Sequence, residues 1–373
     1  MVGNFPTPFC VAFPGATHTR TSRMTAHTAP SPTAYQVAMR RAMELAERGP
    51  ITGVNPRVGC TLVDDSGDIV AEGWHMGAGT PHAEVVALSK LQDKGLSARG
   101  MTAVVTLEPC SHTGKTGPCA NALIDSGIDR VVYSVDDPGQ ESSGGATILR
   151  NAGIDVISGV EESAGRTLIE RWLLAETLQR PWVTLKWAMT LDGRSAAADG
   201  SSQWITGQPT RQRVHYDRSR HDAIIVGINT VLLDNPQLTA RKPDGSLYPH
   251  QPHAVVVGKR NVPRNSSLPS HPGGFTHIKE HGVQDALIQL YQAGMRSVYV
   301  EGGPTLASAF LKDRLADELH ITMGPLLLGG PHTALSDIGV ATMAEAHHLT
   351  IVDVHRLGDD LVVIAQPQKE GGH

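Results

Sequence analysis

The stretch from His82 to Cys119 constrains this chain more than any other. It begins His82-Ala83-Glu84 and ends Pro109-Cys110-Ser111-His112-Thr113-Gly114-Lys115-Thr116-Gly117-Pro118-Cys119. One imidazole and two thiols are the soft donor set that Zn²⁺ takes where three protein ligands leave a fourth tetrahedral position for water. A metal of this kind makes water acidic enough to ionise near neutral pH, and Glu84 is placed to carry protons to and from it. A His-x-Glu triplet alone carries little weight in a chain with 18 histidines. Its weight comes from two of the chain's four cysteines lying downstream, each preceded by proline. A closed structural zinc site would need a fourth protein ligand, for which His112 is the candidate.

The arrangement resembles the His-x-Glu and Pro-Cys-x-x-Cys signature of zinc deaminases that act on nucleobases. It departs in one respect: eight residues, not two, separate the cysteines. The remaining composition narrows the class. A length of 373 residues points to about two domains. A net charge of -5 with 4% aromatics argues against nucleic acid as a partner, which calls for basic surface and stacking rings. Cys10, Cys60, Cys110 and Cys119 are too few for a disulfide framework, so a reducing cytoplasm is expected. Residues 1–30, rich in Pro, Thr, Ser and His, are expected to be a disordered tail, and Met24 is an alternative start. Prolines 6, 8 and 14 break the only apolar patch there, which argues against a secretory signal. The run 223–233 is too short to span a bilayer, so no membrane partner is expected.

Along the chain, Ser31-Pro32 predicts a helix start, with apolar residues at helical spacing until Gly49-Pro50. Strands are expected at 58–63, 68–73, 102–107, 130–135 and 154–157. A helix over 83–91 carries His82 and Glu84 at its first turn. Pro118 is expected at the first position of another, with Cys119 in its first turn. Together these predict an α/β/α sandwich with its site at the ends of the central strands. One amphipathic helix is expected over 161–178, and the domain boundary at Gln179-Arg180-Pro181. Beyond it, strands are expected at 182–188, 223–226, 254–257, 297–300 and 319–323, and helices near 284–293 and 304–313. The stretch 242–274 reads mainly as loops. The halves are therefore 31–178 and 181–368. No Gly-x-Gly-x-x-Gly is present, which argues against a dinucleotide-binding Rossmann domain.

Two sets of motifs together resemble one family, the bifunctional deaminase–reductases of riboflavin biosynthesis. The first half contributes Asn55-Pro56-x-Val58-Gly59, Gly73-Trp74-His75, Pro81-His82-Ala83-Glu84 and the long-spaced cysteine motif. The second contributes Lys186-x-Ala188 with Leu191-Asp192-Gly193-Arg194, Ser202-Gln203-Trp204-Ile205-Thr206, Thr230 to Arg241, and Glu301-Gly302-Gly303-Pro304-Thr305-Leu306. The resemblance implies a cytidine-deaminase-like domain followed by a dihydrofolate-reductase-like α/β domain. It implies zinc-dependent deamination of 2,5-diamino-6-(5-phosphoribosylamino)pyrimidin-4-one, then NADPH-dependent reduction of the ribosyl group to ribityl. His82, Cys110 and Cys119 would bind Zn²⁺, Glu84 would shuttle protons, and Asn55 and His75 would meet the substrate. In the reductase, Lys186 and Asp234 would flank the reacting sugar. Ala188, Trp204, Thr230, Asp234 and Gly303-Pro304-Thr305 would contact cofactor. Ser202, Arg218, Leu238, Arg241 and Glu301 would contact substrate, the two arginines suiting its phosphate. The family's Asp-Pro-Asn is Asp137-Pro138-Gly139 here.

Two other readings compete: a deaminase of another base with a C-terminal domain that only binds nucleotide, and a zinc-stabilised scaffold without catalysis. The sequence leaves the oligomeric state open, a homo-oligomer included. The ligand assignment makes a direct prediction. Metal analysis should find Cys110→Ser and Cys119→Ser nearly empty of zinc and Cys10→Ser and Cys60→Ser full. A full complement in Cys119→Ser would refute it.

Overall fold

Ser31 caps the first helix, α1 (Pro32–Ala46): its side chain accepts from the Ala34 N–H at 3.2 Å, and Pro32 stands in the first turn, where no N–H is needed. This chain is described by a computed structural model covering residues 31–112, 117–279 and 282–368. The expected tail 1–30, with Cys10 and Met24, lies outside the described residues, as do Gly114, Lys115 and Thr116.

After α1 come β1 (Gly59–Val63), β2 (Ile69–Trp74), α2 (Ala83–Asp93), β3 (Thr102–Leu107), α3 (Cys119–Ser126), β4 (Arg130–Val135), α4 (Gly145–Asn151) and β5 (Asp155–Ile157). The sheet order is β2-β1-β3-β4-β5, with β1 antiparallel to both neighbours and β3, β4 and β5 parallel. Successive side chains of a strand point to opposite faces. Accordingly Val105 packs with Ala87, Leu91 and Leu123, while Val104 packs with Tyr35 and Met39 of α1. This is the three-layer sandwich the pattern predicts.

The single helix expected over 161–178 is instead two, α5 (Glu162–Leu168) and α6 (Glu170–Leu178). Ile169 leaves helical geometry at φ -116°, ψ 18° and is buried against Leu107 and Val135. The bend seats that side chain in the sheet, a gain that helical periodicity does not register. Pro118 also sits one place earlier than expected: it is the cap residue, and Cys119 opens α3.

The second half runs β6 (Trp182–Thr190), α7 (Gln208–Arg218), β7 (Ala223–Gly227), α8 (Ile228–Asp234), β8 (His253–Val257), β9 (Phe275–Ile278), α9 (Val283–Gln292), β10 (Ser297–Glu301), α10 (Pro304–Lys312), β11 (Glu318–Gly324), β12 (Leu349–Leu357) and β13 (Asp360–Pro367). Its sheet is ordered β12-β13-β11-β6-β10-β7-β8-β9, parallel from β11 to β9 with an antiparallel hairpin at one edge. α9 and α10 cover one face through Ala286, Leu287, Leu290 and Phe310, and Val231 of α8 packs on the other with Ile224 and Val226. The sequence pattern does not anticipate α7, α8, β9, β12 or β13. α7 buries only Thr210, Val214 and Asp217, too few apolar positions for a periodic signal.

The halves meet through polar contacts. Arg296 pairs with Glu176 at 2.6 Å, Tyr291 Oη donates to Glu176 at 2.8 Å, and the Gly53 N–H donates to Asp222 Oδ1 at 2.5 Å. Among the described residues no helix is long and apolar enough to cross a membrane.

Gly59 explains how closely α1 lies on the sheet: a Cβ there would sit 1.9 Å from the Ala42 carbonyl oxygen. Gly59→Ala should therefore lower stability by about 1–3 kcal/mol or more, as overpacking does, in urea unfolding. Parental stability in that variant would contradict the packing.

Candidate active sites

Two strand-to-helix turns build the first site. His82 is the cap residue of α2, and Cys119 is the first residue of α3, facing Cys110 just beyond β3. His82 Nδ1 lies 3.1 Å from Cys119 Sγ and 3.5 Å from Cys110 Sγ, and the Cys119 N–H donates to Cys110 Sγ at 3.4 Å. The three donor atoms all lie within 4.8 Å of one another. Tetrahedral zinc with bonds of about 2.0–2.3 Å sets its N and S ligands about 3.6 Å apart, so the cluster fits the ion. The titration of these groups agrees. A hydrogen bond from Cys119 pulls the Cys110 thiol down to about 4, while the same contact pushes Cys119 up. Two thiols and an imidazole thus share protons where a cation would take several donors at once. Among the described residues His112 is not part of this cluster; its Nδ1 is buried without a hydrogen-bond partner in the wall nearby.

Glu84 stands in the first turn of α2, only 3% exposed, and burial raises its carboxyl above the ordinary range. A carboxyl raised in this way exchanges protons more readily near neutral pH. Asn55 Nδ2 donates to His75 Nε2 at 2.9 Å, which leaves His75 Nδ1 to donate to the Pro81 carbonyl at 3.1 Å. Burial lowers His75, in keeping with that neutral tautomer. Asn55, His75, His82, Glu84, Cys110 and His112 line one cavity of about 690 Å³, whose wall includes Tyr291 and Arg296 from the second half, while Cys119 is buried behind it. Glu108, which opens the cysteine motif but has no role assigned from the sequence, shapes the floor by accepting from the N–H groups of Asp137, Gly144 and Ala146 at 2.9–3.2 Å. Gly139 also lines the cavity; its N–H donates to Asp137 Oδ1 at 2.8 Å, and a Cβ there would strike Ser142 Oγ.

The second site lies at the C-terminal ends of parallel strands. β10 pairs with β6 so that Glu301 neighbours Lys186. Arg218 from α7 grips Glu301 through two N–H groups at 2.5 and 2.9 Å and donates a third to the Thr239 carbonyl at 3.0 Å. That leaves two of its five donors free. Burial opposes the charge on Glu301, but Arg218 outweighs it and holds the carboxyl low, with Lys186 adding to the effect. Burial likewise lowers the Lys186 amine. Arg241 joins the group through Thr239 Oγ1 at 3.1 Å and His215 Nε2 at 3.4 Å. Leu238 is buried in the left-handed region at φ 57°, uncommon for a branched side chain and a sign that its loop is held by its surroundings.

The other residues singled out from the sequence spread around this group. Ala188 lies on β6 opposite Thr322, Thr230 and Asp234 lie on α8, and Gly303 caps α10, with Pro304 and Thr305 opening the helix. Ser202 and Trp204 are exposed, the Trp204 ring lying 4.4 Å from the Arg211 guanidinium. The charges acting on Lys186 are Glu301, Arg218 and Asp217, whereas Asp234 is shifted upward by burial alone.

Residues 32–135 match the cytidine and deoxycytidylate deaminase zinc-binding region, and residues 181–363 match the RibD C-terminal domain. The riboflavin biosynthesis protein RibD of Corynebacterium ammoniagenes is 45% identical over 293 residues, 78% of this chain and 86% of that protein. The chain belongs to the RibD family. The solved Acinetobacter baumannii RibD aligns at TM-score 0.81 and 35% identity, covering 91% of this chain and 100% of that one. A diaminohydroxyphosphoribosylaminopyrimidine deaminase/5-amino-6-(5-phosphoribosylamino)uracil reductase from Thermotoga maritima aligns at TM-score 0.76 and 35% identity, covering 90% and 99%. The RibD architecture thus joins a zinc-binding deaminase region to a reductase domain in riboflavin biosynthesis, and both are present here.

His215 is the residue of the RibD C-terminal region that the motifs do not flag, although it lies one helical turn from Arg218. Its Nδ1 faces the Thr239 carbonyl at 3.0 Å, and burial, then Arg218 and Arg241, hold it down to about 4. A histidine unfolded near 6.5 and folded near 4 adds stability that is complete above about pH 6.5 and is lost as pH falls toward 4. His215→Gln should therefore lose less stability than the parent between pH 7 and pH 5 in urea unfolding. An identical pH dependence in both would contradict the assignment.

Proposed function

We propose that this chain deaminates 2,5-diamino-6-(5-phosphoribosylamino)pyrimidin-4-one hydrolytically and then reduces the ribosylamino product to the ribitylamino uracil phosphate with NADPH. The observation that carries the first step is the His82–Cys110–Cys119 cluster at a cavity that His82, Cys110 and buried Glu84 line. The domains are assigned as 31–178 for deamination and 181–368 for reduction.

In the first site His82, Cys110 and Cys119 would hold zinc, which when bound would supply the Lewis acidity that makes water a nucleophile near neutral pH. Glu84 removes a proton from the attacking water and delivers one to the departing amine, so that the C–N bond breaks with release of ammonia. Asn55 and the neutral His75 orient the pyrimidine. In the second site NADPH, when bound, would supply the hydride that reduces C1′ of the opened sugar. Lys186 and Asp234 move the protons that open the ring, the lowered amine of Lys186 being suited to release one. Arg218, with two donors left, and Arg241 bind the substrate phosphate, while Glu301, Leu238 and Ser202 line its path. Ala188, Trp204, Thr230, Asp234 and the Gly303-Pro304-Thr305 turn hold the cofactor, the last through backbone N–H groups at the start of α10.

The working place is the cytoplasm, with no nucleic-acid or membrane partner. A homo-oligomer is supported by β12, an edge strand that exposes Ile351, Val352 and Val354 together.

Glu84→Gln separates metal binding from chemistry, because glutamine keeps the size and hydrogen bonds but carries no proton. It should retain zinc and lose ammonia release by about 10²–10⁴-fold, the range for a positioned acid–base group. Reduction of supplied deaminated intermediate should proceed near the parental rate. Parental deamination in the zinc-replete variant would sink the mechanism.

A further inference from the structure

The segment 238–241, between α8 and β8, lies against α7 and is held from two sides. Gln251 takes both backbone groups of Ala240, accepting from its N–H at 2.9 Å and donating to its carbonyl at 2.8 Å. From α7, His215 and Arg218, one helical turn apart, both reach the Thr239 carbonyl, each at 3.0 Å. A carbonyl only accepts, so His215 Nδ1 carries the proton. Its Nε2 then offers a lone pair to Arg241 Nη2 at 3.4 Å, and a guanidinium only donates. One ring thus joins segment to helix, with a donor on one side and an acceptor on the other. The other side-chain partners of Arg241 among the described residues, Gln237 and Thr239, belong to its own loop.

Arg218 and Arg241 share Thr239, one through its carbonyl and the other through its hydroxyl at 3.1 Å. Glu301 balances Arg218 through two hydrogen bonds, whereas the side chains that meet Arg241 are neutral: Gln237, Thr239 and His215. Burial, then repulsion from Arg218, disfavours the Arg241 charge. That repulsion would swing an unanchored Arg241 out toward water, on whose side Gln237 is exposed. We propose that His215 is a positioning residue for the reduction, fixing Arg241 beside Arg218 so that the two guanidinium groups meet the substrate phosphate together. The proposal rests on the reading that these two arginines bind that phosphate. A phosphate monoester has three acceptor oxygens and close to two negative charges, so two fixed guanidinium groups hold it better than one fixed and one mobile. Holding them in place before the ligand arrives lowers the ordering cost of binding. Imidazole suits the task because burial, then Arg218 and Arg241, keep its own charge off near neutral pH. A lysine here would add a third cation and offer no acceptor.

The test follows NADPH oxidation by the full zinc-loaded chain given the deaminated intermediate, with and without its phosphate. His215→Asn keeps a donor for the Thr239 carbonyl but is too short to reach Arg241, and His215→Gln restores an acceptor at the Nε2 position. His215→Asn should raise KM for the phosphorylated intermediate about tenfold, as loss of a fixed charged contact does, with kcat and the KM for NADPH near parental. His215→Gln should recover most of that loss, and the dephosphorylated intermediate should show one KM in parent and variants. In an Arg241→Gln background His215→Asn should add nothing further. Circular dichroism checks folding, and His215→Leu carries the same comparisons if His215→Asn does not fold. A parental KM in the folded variant would overturn the proposal, as would an undiminished rise in the Arg241→Gln background. A rise shared by the dephosphorylated intermediate would mark a merely structural role and overturn it too. Failure of the underlying reading looks different: the parent would leave NADPH unoxidised, or Arg241→Gln alone would keep a parental KM, and either removes the proposal with it.

Discussion

Three electron-rich atoms, from His82, Cys110 and Cys119, converge within 4.8 Å in a buried place, and the first half of the molecule is arranged to hold them there. Such a cluster is stable only when protons are shared or a cation is bound. Its members come from two helix starts and a strand end, so β3, α2 and α3 must keep their relative places. The Gly59 contact with α1 and the three backbone bonds to Glu108 serve that arrangement. Burial that fixes the ligands also reaches Glu84, so one packing decision sets both the metal site and the proton carrier beside it.

The second half reaches a comparable result by topology. Lys186, Arg218, Arg241 and Glu301 are far apart in sequence, yet the order β6-β10-β7 in the middle of the sheet brings β6, α7, the connection after α8 and the end of β10 to one place. The Arg218–Glu301 pair is the fixed point. Both side chains are largely buried, and removing one partner of such a pair leaves an uncompensated charge, at a cost of about 3–5 kcal/mol. The pair ties α7 to the end of β10 and positions the remaining arginine donors. The halves are also joined at the first cavity, where the Glu176–Arg296 ion pair belongs to a wall built by both.

Much of this arrangement is legible in the amino-acid sequence. Strand 102–107 coincides with β3 because a short run of β-branched and apolar residues between turns has few alternatives. The ligand set is legible because cysteine is scarce here and its proline-flanked spacing is unusual. What stays hidden has physical causes. The break at Ile169 depends on a pocket formed by Leu107 and Val135, which no local pattern reports. α7 is polar enough to look like loop, yet it carries Arg218 and His215. β12 exposes most of its side chains and so shows no simple alternation. Glu108 resembles any acidic residue until the amides that fold back onto it are in place.

The active-site chemistry rests on a two-sulfur, one-nitrogen cage with one position left open. X-ray absorption at the zinc edge of the full chain measures that shell directly. The expected result is two sulfur neighbours near about 2.3 Å and two nitrogen or oxygen neighbours near about 2.0–2.1 Å. A shell of four sulfurs, or one of nitrogen and oxygen alone, would contradict it.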